Sequence, residues 1–228
     1  MNFQQLTGKG VRIAIIDSGV NPAHPHVGGV AGGAAIEASG ESNIYLDYLG
    51  HGTAVAGAIR EKAPEAELYA VKVFDRALAT SIERILRAID WAIARRAHLI
   101  NLSLGTHNAA HRTLFEAAIA RAAAAGAVLV AARAENQLPG SLDGVLAAGL
   151  DGDCPRQSYR CHEGRFDASG FPRSIPGVPP ERNLNGISFA VANLTGFAAR
   201  ARQLCPEGGL ETLRRVLEEN ALSSAGPD

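Results

Sequence analysis

The chain has few cysteines, few aromatic residues and no long apolar run. It contains three cysteines in 228 residues, and only 5% of its residues are aromatic. Cys154, Cys161 and Cys205 are too few for a disulfide framework, although Cys154 and Cys161 could close a small loop. The longest run of small apolar residues, 122–132, covers 11 residues, whereas a membrane-spanning helix needs about 20. The sequence therefore predicts neither a disulfide scaffold nor a transmembrane protein.

The chain also lacks an excess of charge of either sign. Its 22 basic and 23 acidic residues give a formal net charge of −1, and the basic residues are scattered along the sequence. A nucleic-acid-binding surface requires clustered positive charge, so no nucleic-acid partner is expected. The first residues carry neither the basic flank nor the apolar stretch of a secretory signal. We therefore expect a cytoplasmic protein whose cysteines are free thiols.

The remaining composition is typical of a folded globular domain. Hydrophobic residues make up 46% of the chain and charged residues 20%. A chain of this length buries roughly 70% of the surface that its unfolded form exposes, so it needs no metal or disulfide for stability. No linker or internal repeat divides the sequence. We expect one domain that covers residues 1–228.

Short apolar runs alternate with stretches in which apolar residues recur at helical spacing. The apolar runs predict buried strands at 11–16, 68–73, 99–102, 128–131 and 145–148. Helical patterns cover 81–95, 113–125, a stretch that begins near Ser188, and 209–220, with loops and short strands predicted between 151 and 185. This alternation predicts a parallel sheet covered by helices on both faces, which binds ligands at the carboxyl ends of its strands.

Three polar residues stand at predicted element boundaries. Asp17 follows the first strand, His51 opens a helix of small residues, and Ser188 enters another such helix. Each alone has a simpler interpretation, as a turn residue, an exposed residue at a helix start, or a helix cap. Together they follow the order Asp, His, Ser, which is one of the chain orders in which a serine catalytic triad occurs. The order therefore favours nucleophilic catalysis.

The sequence around these residues resembles the subtilisin-like serine proteases. The matching segments are 13–25, 51–57, 63–73, 100–105 and 186–190, and the likeness extends over residues 10–203. The resemblance implies an α/β, subtilisin-like three-layer fold with a central, mostly parallel sheet flanked by helices. It implies a serine endopeptidase that uses no cofactor. In that enzyme Ser188 would attack the peptide carbonyl, His51 would accept and return the proton, and Asp17 would orient the imidazole.

A second set of matching residues would hold the substrate and its transition state. Ser103, Leu104 and Gly105 resemble the family's edge segment, which would bind a peptide or protein substrate as an extended strand. The asparagine that serves the family as oxyanion donor falls at Glu135 in an ungapped comparison, whereas a one-residue shift brings Asn136 there. A carboxylate would oppose the developing oxyanion, and losing one donor typically costs about 100- to 1000-fold in kcat. The sequence leaves both alignments open.

Two loops are shorter than the family pattern. The loop after Gly57 is too short for the family's calcium site, so no such site is expected. The segment 135–140 is also short, and it should leave one wall of the main specificity pocket incomplete. His24 and His26 have metal-like spacing but no further ligand cluster nearby, so they are interpreted as loop residues. No metal ligand is predicted.

These observations predict a compact endopeptidase that cleaves a restricted peptide substrate, such as a precursor peptide that matures by cleavage. The short loops and the lack of a secretory signal support this narrow role. No inhibitory segment precedes Gly10, so the chain is expected to fold unaided, to be cut from a longer precursor or to need an activating partner protein. The alternative is a catalytically weak or inactive pseudo-protease that binds peptides without turnover. An esterase is disfavoured because Ala190 breaks the Gly-x-Ser-x-Gly pattern.

Overall fold

A single sheet forms the central layer of the protein. The computed structural model describes residues 2–222, and within this range nine strands form the sheet. These strands are β1 (Arg12–Asp17), β2 (Gly32–Glu37), β3 (Gly40–Ser42), β4 (Glu67–Lys72), β5 (Leu99–Leu102), β6 (Val128–Ala132), β7 (Val145–Leu150), β8 (Tyr159–His162) and β9 (Arg165–Ala168). Their order across the sheet is β3-β2-β4-β1-β5-β6-β7-β9-β8. All neighbouring strands pair in parallel except at the two edges of the sheet. There β3 pairs antiparallel with β2, and β8 pairs antiparallel with β9.

Five helices lie within the described range. They are α1 (His51–Lys62), α2 (Ile82–Ala94), α3 (Arg112–Ala124), α4 (Ile187–Leu204) and α5 (Leu210–Glu219). The Ser81 side chain accepts the Arg84 N–H at 3.4 Å and so caps the start of α2. Gly126, at φ +76°, follows the end of α3, where a left-handed residue stops a helix most readily. None of these helices is both long and apolar enough to cross a membrane.

Alternating residues of β1 divide the core into two halves. Ile13 and Ile15 are fully buried on the face that α1, α4 and α5 cover. Ala14 and Ile16 are fully buried on the opposite face, which α2 and α3 cover. Successive side chains of a strand point to opposite faces, so the continuous apolar run of β1 is explained by a sheet with helices on both sides. The predicted three-layer α/β fold is confirmed.

Helix α4 is the most deeply buried helix of the layer that carries α1. Its side chains Phe189, Leu194 and Phe197 are all at least 98% buried, and each such side chain contributes about 2 to 3 kcal/mol. Gly196 lies where α4 meets the end of α1, and a Cβ at this position would be only 2.6 Å from the Lys62 Cβ. The small residues of both helices therefore allow a close approach, which sets Ser188 near His51 at the same end of the layer.

The sequence patterns missed the strands β2 and β3. β2 begins with two glycines and has one β-branched residue, Ile36, so its strand signal is weak. Gly33 is required by the sheet, because a Cβ there would lie 2.4 Å from the Ala70 carbonyl oxygen. The strands and helices that the sequence predicts are present, and their ends differ from the predicted ends by one or two residues.

Candidate active site

Asp17 is the last residue of β1, at the carboxyl edge of the sheet. Its side chain is fully buried, and one carboxylate oxygen, Oδ1, accepts the Ser18 N–H at 2.7 Å. The same oxygen lies 2.7 Å from Nδ1 of His51. The other oxygen, Oδ2, has no hydrogen-bond partner among the described residues. The carboxylate is therefore held in one orientation, in which the imidazole is its one side-chain hydrogen-bond partner among the described residues.

His51 is the first residue of α1, directly after Gly50, which has φ +81°. The helix start is close to the end of β1 because Gly52 has no side chain. A Cβ on Gly52 would lie 2.1 Å from the Gly19 carbonyl oxygen and 3.1 Å from the Asp17 Cβ. The glycine after His51 thus permits the hydrogen bond between His51 and Asp17.

The hydrogen bond to Asp17 sets both the tautomer and the charge preference of His51. A carboxylate only accepts hydrogen bonds, so Nδ1 carries the hydrogen and Nε2 of the neutral ring is free to accept a proton. Burial acts to lower the pKa of His51, but the hydrogen bond to Asp17 and the charges of Asp17 and Asp47 outweigh it and raise the pKa above its usual value of 6.5. This arrangement suits a general base whose protonated form is stabilised by the neighbouring carboxylates.

Asp47 is a site residue that the sequence analysis missed. Its carboxylate accepts the Leu49 and Gly50 N–H groups at 2.9 Å, and it also accepts the N–H and hydroxyl of Thr53 at 2.9 and 2.6 Å. It accepts the Ser18 hydroxyl at 2.9 Å as well. Asp47 therefore caps the start of α1 and fixes the turn that presents His51. The available signal was an acidic residue four positions before the helix start.

Ser188 is the second residue of α4 and follows Gly186, which has φ +145°. Its hydroxyl donates to the Ser103 carbonyl oxygen at 3.2 Å, and the Ser103 hydroxyl in turn donates to the Ser188 carbonyl oxygen at 3.2 Å. The hydroxyl of Ser188 thus points to the edge segment rather than to His51 in this structure. The ring of Phe189, the next residue, packs at 5.5 Å from the His51 ring. The start of α4 therefore brings together the predicted nucleophile, the predicted base and the predicted substrate segment.

The edge segment Ser103-Leu104-Gly105 continues from the end of β5. The backbone N–H and C=O groups of Leu104 and Gly105 have no hydrogen-bond partner within residues 2–222. The next residue, Thr106, exchanges two backbone hydrogen bonds with Leu138, at 2.9 and 2.8 Å. These open backbone groups can accept an extended chain by strand addition.

A glutamine side chain closes one side of the edge segment. A Cβ added to Gly105 would lie 2.7 Å from Cδ and Cγ of Gln137. Because Gln137 precedes the bridge between Leu138 and Thr106, the segment 135–140 is joined directly to the edge segment. The short loop brings Gln137 against the place where a substrate chain would lie, and the expectation that it leaves one wall of the specificity pocket incomplete stays a prediction.

Glu135 and Asn136 form an exposed turn after β6. Asn136 has φ +55°, a left-handed conformation that asparagine adopts more readily than most residues. Neither side chain makes a hydrogen bond within the described range. Arg133 is held away from both by its ion pair with Asp167. Which of the two residues faces the oxyanion stays a prediction.

Two pockets flank the candidate site. One, of about 220 Å³, lies beside the edge segment and is lined mainly by apolar side chains, among them Phe74, Ile82 and Leu104. The other, of about 400 Å³, lies beside Gly50 and Leu184, and its lining combines charged and polar side chains with a larger share of apolar surface. The basic pocket is lined by Asn21, His24, His26, Asp47, Thr53, Arg173, Arg182 and Asn183, together with smaller and apolar residues.

The structure brings together no cluster of three or more histidine, cysteine, aspartate or glutamate residues that could hold a metal, as far as residues 2–222 are concerned. The His24 and His26 rings lie 5.0 Å apart, edge to face. Cys154, Cys161 and Cys205 are all free thiols, as the sequence analysis expected.

Comparison with known proteins agrees with this geometry. The model of the subtilase family matches residues 8–159, a range that includes Asp17 and His51 and ends before Ser188. The chain belongs to the subtilase family. The thermostable alkaline protease of Halalkalibacterium halodurans is 32% identical over 245 residues, which cover 97% of this subtilase and 65% of the relative. This subtilase thus spans less than two thirds of the length of that relative.

Solved structures extend the agreement to the fold. A cold adapted subtilisin-like serine proteinase superimposes with a TM-score of 0.75 at 21% identity, covering 97% of this chain and 88% of its own. A lanthipeptide protease superimposes with a TM-score of 0.76 at 20% identity, covering 99% of this chain and 84% of its own. The resemblance inferred from the sequence motifs is confirmed for family and fold.

Proposed function

We propose that this subtilase is a serine endopeptidase in which Ser188 is the nucleophile, His51 the general base and Asp17 the residue that orients the base. The hydrogen bond of 2.7 Å between Asp17 and His51 is the observation that carries the proposal. It leaves Nε2 of His51 as a proton acceptor at the end of the layer where α4 presents Ser188. Family membership supports the same chemistry.

The reaction begins with a rotation of the Ser188 side chain from the Ser103 carbonyl to Nε2 of His51. The Ser188 Oγ then attacks the peptide carbonyl carbon, and its proton passes to Nε2. The resulting imidazolium, stabilised by Asp17, donates this proton to the leaving amine as the C–N bond breaks. Water, activated by the same imidazole, hydrolyses the acyl-enzyme and returns Ser188 to its starting state.

The oxyanion would be stabilised from two directions. The first N–H groups of a helix have no partner inside the helix, so the Ser188 N–H at the start of α4 is available to the developing charge. The second donor is the amide side chain of Asn136, which lies in the exposed turn after β6. Glu135 next to it would raise the barrier if it faced the same point. The proposal therefore assigns Asn136 and not Glu135 as the donor.

The substrate would bind as an extended strand along Ser103, Leu104 and Gly105. Upstream side chains would reach the apolar pocket of about 220 Å³ beside Leu104, and Gln137 limits the space beside Gly105. The basic pocket of about 400 Å³ lies on the His51 side, where the leaving amine departs. The limited space beside Gly105 and the charged side chains on the His51 side favour a restricted set of peptides over general protein digestion.

We infer further that the physiological substrate is a precursor peptide that matures by cleavage in the cytoplasm. One structural neighbour is a lanthipeptide protease, which supports a peptide rather than a folded protein as the substrate class. A mixed peptide library tests the restriction. The expected result is cleavage of a few related sequences, whereas indiscriminate cleavage by pure protein would contradict it. If the pure chain cuts nothing, the addition of a cell lysate tests for the activating partner.

The experiment that tests the proposed chemistry is labelling with a fluorophosphonate probe. The Ser188 Oγ would attack phosphorus and displace fluoride, so the wild-type protein is expected to gain one adduct on Ser188. Ser188→Ala is the control and should gain none, while circular dichroism shows that both proteins are folded. A folded wild-type protein that gains no adduct would contradict the proposal and favour the pseudo-protease, which the geometry of Asp17 and His51 does not favour.

A further inference from the structure

A second cluster of charged side chains lies at the opposite end of the sheet from Asp17. A cavity of about 450 Å³, here called the basal cavity, opens beside the amino ends of β1, β5 and β6. It is lined by Arg12, Ile93, Arg96, His98, Ala125, Gly126, Arg202, Pro206 and Glu207. Arg12 begins β1 and Asp17 ends it, so the two regions are about 17 Å apart along the strand. The basal cavity therefore has no part in the proposed peptidase chemistry.

Arg202 supplies a buried positive charge to this cavity. Its side chain is 3% exposed, and its guanidinium donates to the carbonyl oxygens of Pro206 at 3.1 Å and Gly126 at 3.0 Å. Its Nε has no hydrogen-bond partner, and no carboxylate lies within 4.0 Å of the guanidinium among residues 2–222. A buried cation without an anion is costly, because carbonyl dipoles replace only part of the lost hydration. The guanidinium therefore relies on carbonyl oxygens, including that of His98 at 3.5 Å, and on the more distant carboxylate of Glu207.

His98 and Arg12 present two donors to each other. Nδ1 of His98 lies 2.9 Å from the backbone N–H of Arg12, which can only donate, so Nδ1 is the acceptor. In the neutral ring the hydrogen must then be on Nε2, which lies 3.3 Å from Nη2 of Arg12. Nη2 is also a donor, so this contact cannot be a hydrogen bond. An oxygen atom of a ligand beside these two nitrogens would accept from both.

The charges around His98 keep it neutral. Burial and the positive charges of Arg12 and Arg202 lower the pKa of His98, while the carboxylates of Glu207 and Glu67 act in the opposite direction. Its unpaired Nε2 hydrogen is therefore a property of the folded protein at neutral pH. A bound anion would offset the charge of both arginines as well as accept this hydrogen.

The rim of the basal cavity adds a third arginine. Arg96 is exposed, has φ +53°, and forms no ion pair within the described part of the chain. Its carbonyl oxygen accepts Nε of Arg12 at 2.7 Å, which anchors Arg12 at the cavity. Glu207 is the one acidic residue of the lining, and it forms no ion pair within 4.0 Å with any of the three arginines in the range 2–222. The lining therefore carries an excess of two positive charges.

We infer that the basal cavity binds a small molecule through a phosphate group. Guanidinium groups match the oxygens of a phosphate in pairs, and a dianion balances the excess charge of the lining. The opposed donors of Arg12 and His98 mark where an acceptor oxygen is missing, and the buried guanidinium of Arg202 adds positive charge beside them. The volume of about 450 Å³ exceeds that of a phosphate ion, so the cavity has room for the rest of a larger phosphorylated molecule.

The test measures binding to the full chain by isothermal titration calorimetry and by thermal unfolding. The probes are inorganic phosphate and adenosine monophosphate, each compared with chloride at equal ionic strength. We expect saturable binding of the monophosphate, about tenfold tighter than that of inorganic phosphate, and a higher Tm in its presence. Equal affinity for both probes would identify free phosphate as the ligand and overturn the assignment to a larger molecule.

Two variants locate the binding. Arg96→Gln removes an exposed charge at the rim, so it should fold normally and bind about tenfold more weakly. Arg95→Gln is the matched control, because Arg95 is its exposed neighbour, stacks on Trp91 and does not line the basal cavity. Arg95→Gln should bind as the wild type does. Absence of saturable binding up to about 10 mM of either probe, or equal loss in both variants, would overturn the proposal.

Discussion

The two ends of helix α1 hold two basic side chains whose pKa values move in opposite directions. His51 begins the helix, is 17% exposed, and has a raised pKa. Lys62 ends the helix, is 2% exposed, and has its pKa lowered from 10.5 to about 8. Each lies beside a carboxylate, Asp17 for the histidine and Glu61 for the lysine. A nearby carboxylate therefore does not by itself decide which way a pKa moves.

The difference lies first in the deeper burial of Lys62 and then in how the carboxylate is shared. Asp17 contacts His51 and forms no ion pair with a lysine or arginine within residues 2–222, and Asp47 adds a second negative charge nearby. Glu61 divides its charge between Lys62 and Arg156, and burial and the positive charges of Arg156 and Arg200 all act to lower the pKa of Lys62. In the proposed mechanism one end of α1 holds a proton during the reaction, whereas the other end buries an amine among packed side chains.

The opposite shifts give opposite dependences of stability on pH. The raised pKa of His51 contributes stability that is fully present below pH 6.5 and is lost as the pH rises through the folded-state value. The lowered pKa of Lys62 has the reverse effect, because the folded state releases its proton before the unfolded state does. Stability therefore increases between about pH 8 and 10.5.

The largest expected effect comes from removing the charge that supports His51. Asp17→Asn keeps the size of the side chain but removes the negative charge and favours the wrong tautomer of the imidazole. The rate at which the fluorophosphonate probe modifies Ser188 should fall by about 10⁴-fold, which corresponds to about 5.5 kcal/mol of barrier. Stopped-flow or discontinuous labelling with the fluorophosphonate probe measures this rate. A loss below about tenfold would mean that Asp17 does not serve the base.

The next effect concerns the other end of the helix. Unfolding by urea at about pH 7.5 and about pH 10 should show an increase in the free energy of unfolding that depends on Lys62, at most about 3 kcal/mol. Lys62→Met should be as stable as the wild type or more stable at the lower pH and should lose this increase. Lys9→Met, at an exposed lysine, is the control and should keep it. An unchanged increase in Lys62→Met would disprove the lowered pKa.

A smaller effect tests how the start of α1 reaches Asp17. Gly52→Ala places a Cβ 2.1 Å from the Gly19 carbonyl oxygen, so the helix start must move away from β1. We expect a loss of about 1 to 3 kcal/mol in the free energy of unfolding together with slower labelling of Ser188 by the fluorophosphonate probe. Gly10→Ala is a control without steric conflict, because nothing lies within 4 Å of its added Cβ, although its φ of +78° carries its own strain. If Gly52→Ala lowers the free energy of unfolding but leaves the rate of labelling unchanged, the contact between His51 and Asp17 does not depend on this glycine.

The smallest effect separates Asp47 from Asp17. Asp47→Asn removes one of the two charges that raise the pKa of His51 but leaves the hydrogen bond to Asp17 in place. The amide also replaces one of the two accepting oxygens by a donor, so the maximal labelling rate should fall modestly, while its rise with pH should shift to lower pH. The pH profile of labelling measures both quantities. A shift to higher pH would show that Asp47 does not act on His51 through its charge.

The sequence predicted those features that depend on local pattern. Asp17, His51 and Ser188 could be selected because each follows a recognisable strand or opens a recognisable helix. Asp47 could not, because its role depends on the turn that folds it back onto the start of α1. The direction of the Ser188 hydroxyl toward Ser103 also depends on the packing of two segments that are 85 positions apart.

The charged side chains of the basal cavity likewise could not be predicted from local sequence pattern. Arg12, His98 and Arg202 are far apart in the chain, so the basic residues look scattered in the sequence. The parallel sheet brings the starts of β1 and β5 together and sets the end of α4 beside them. A cluster of charge that spans three elements is visible only after the topology is known.

The measurement that tests the account most directly is the pH dependence of fluorophosphonate labelling, with the adduct mapped to Ser188. The account predicts a rate that rises with pH around a midpoint above 6.5, because His51 must be neutral to accept the proton and its pKa is raised. The rise should vanish in His51→Ala. An adduct on another residue, or the same profile in His51→Ala, would contradict the claim that His51, held by Asp17, activates Ser188.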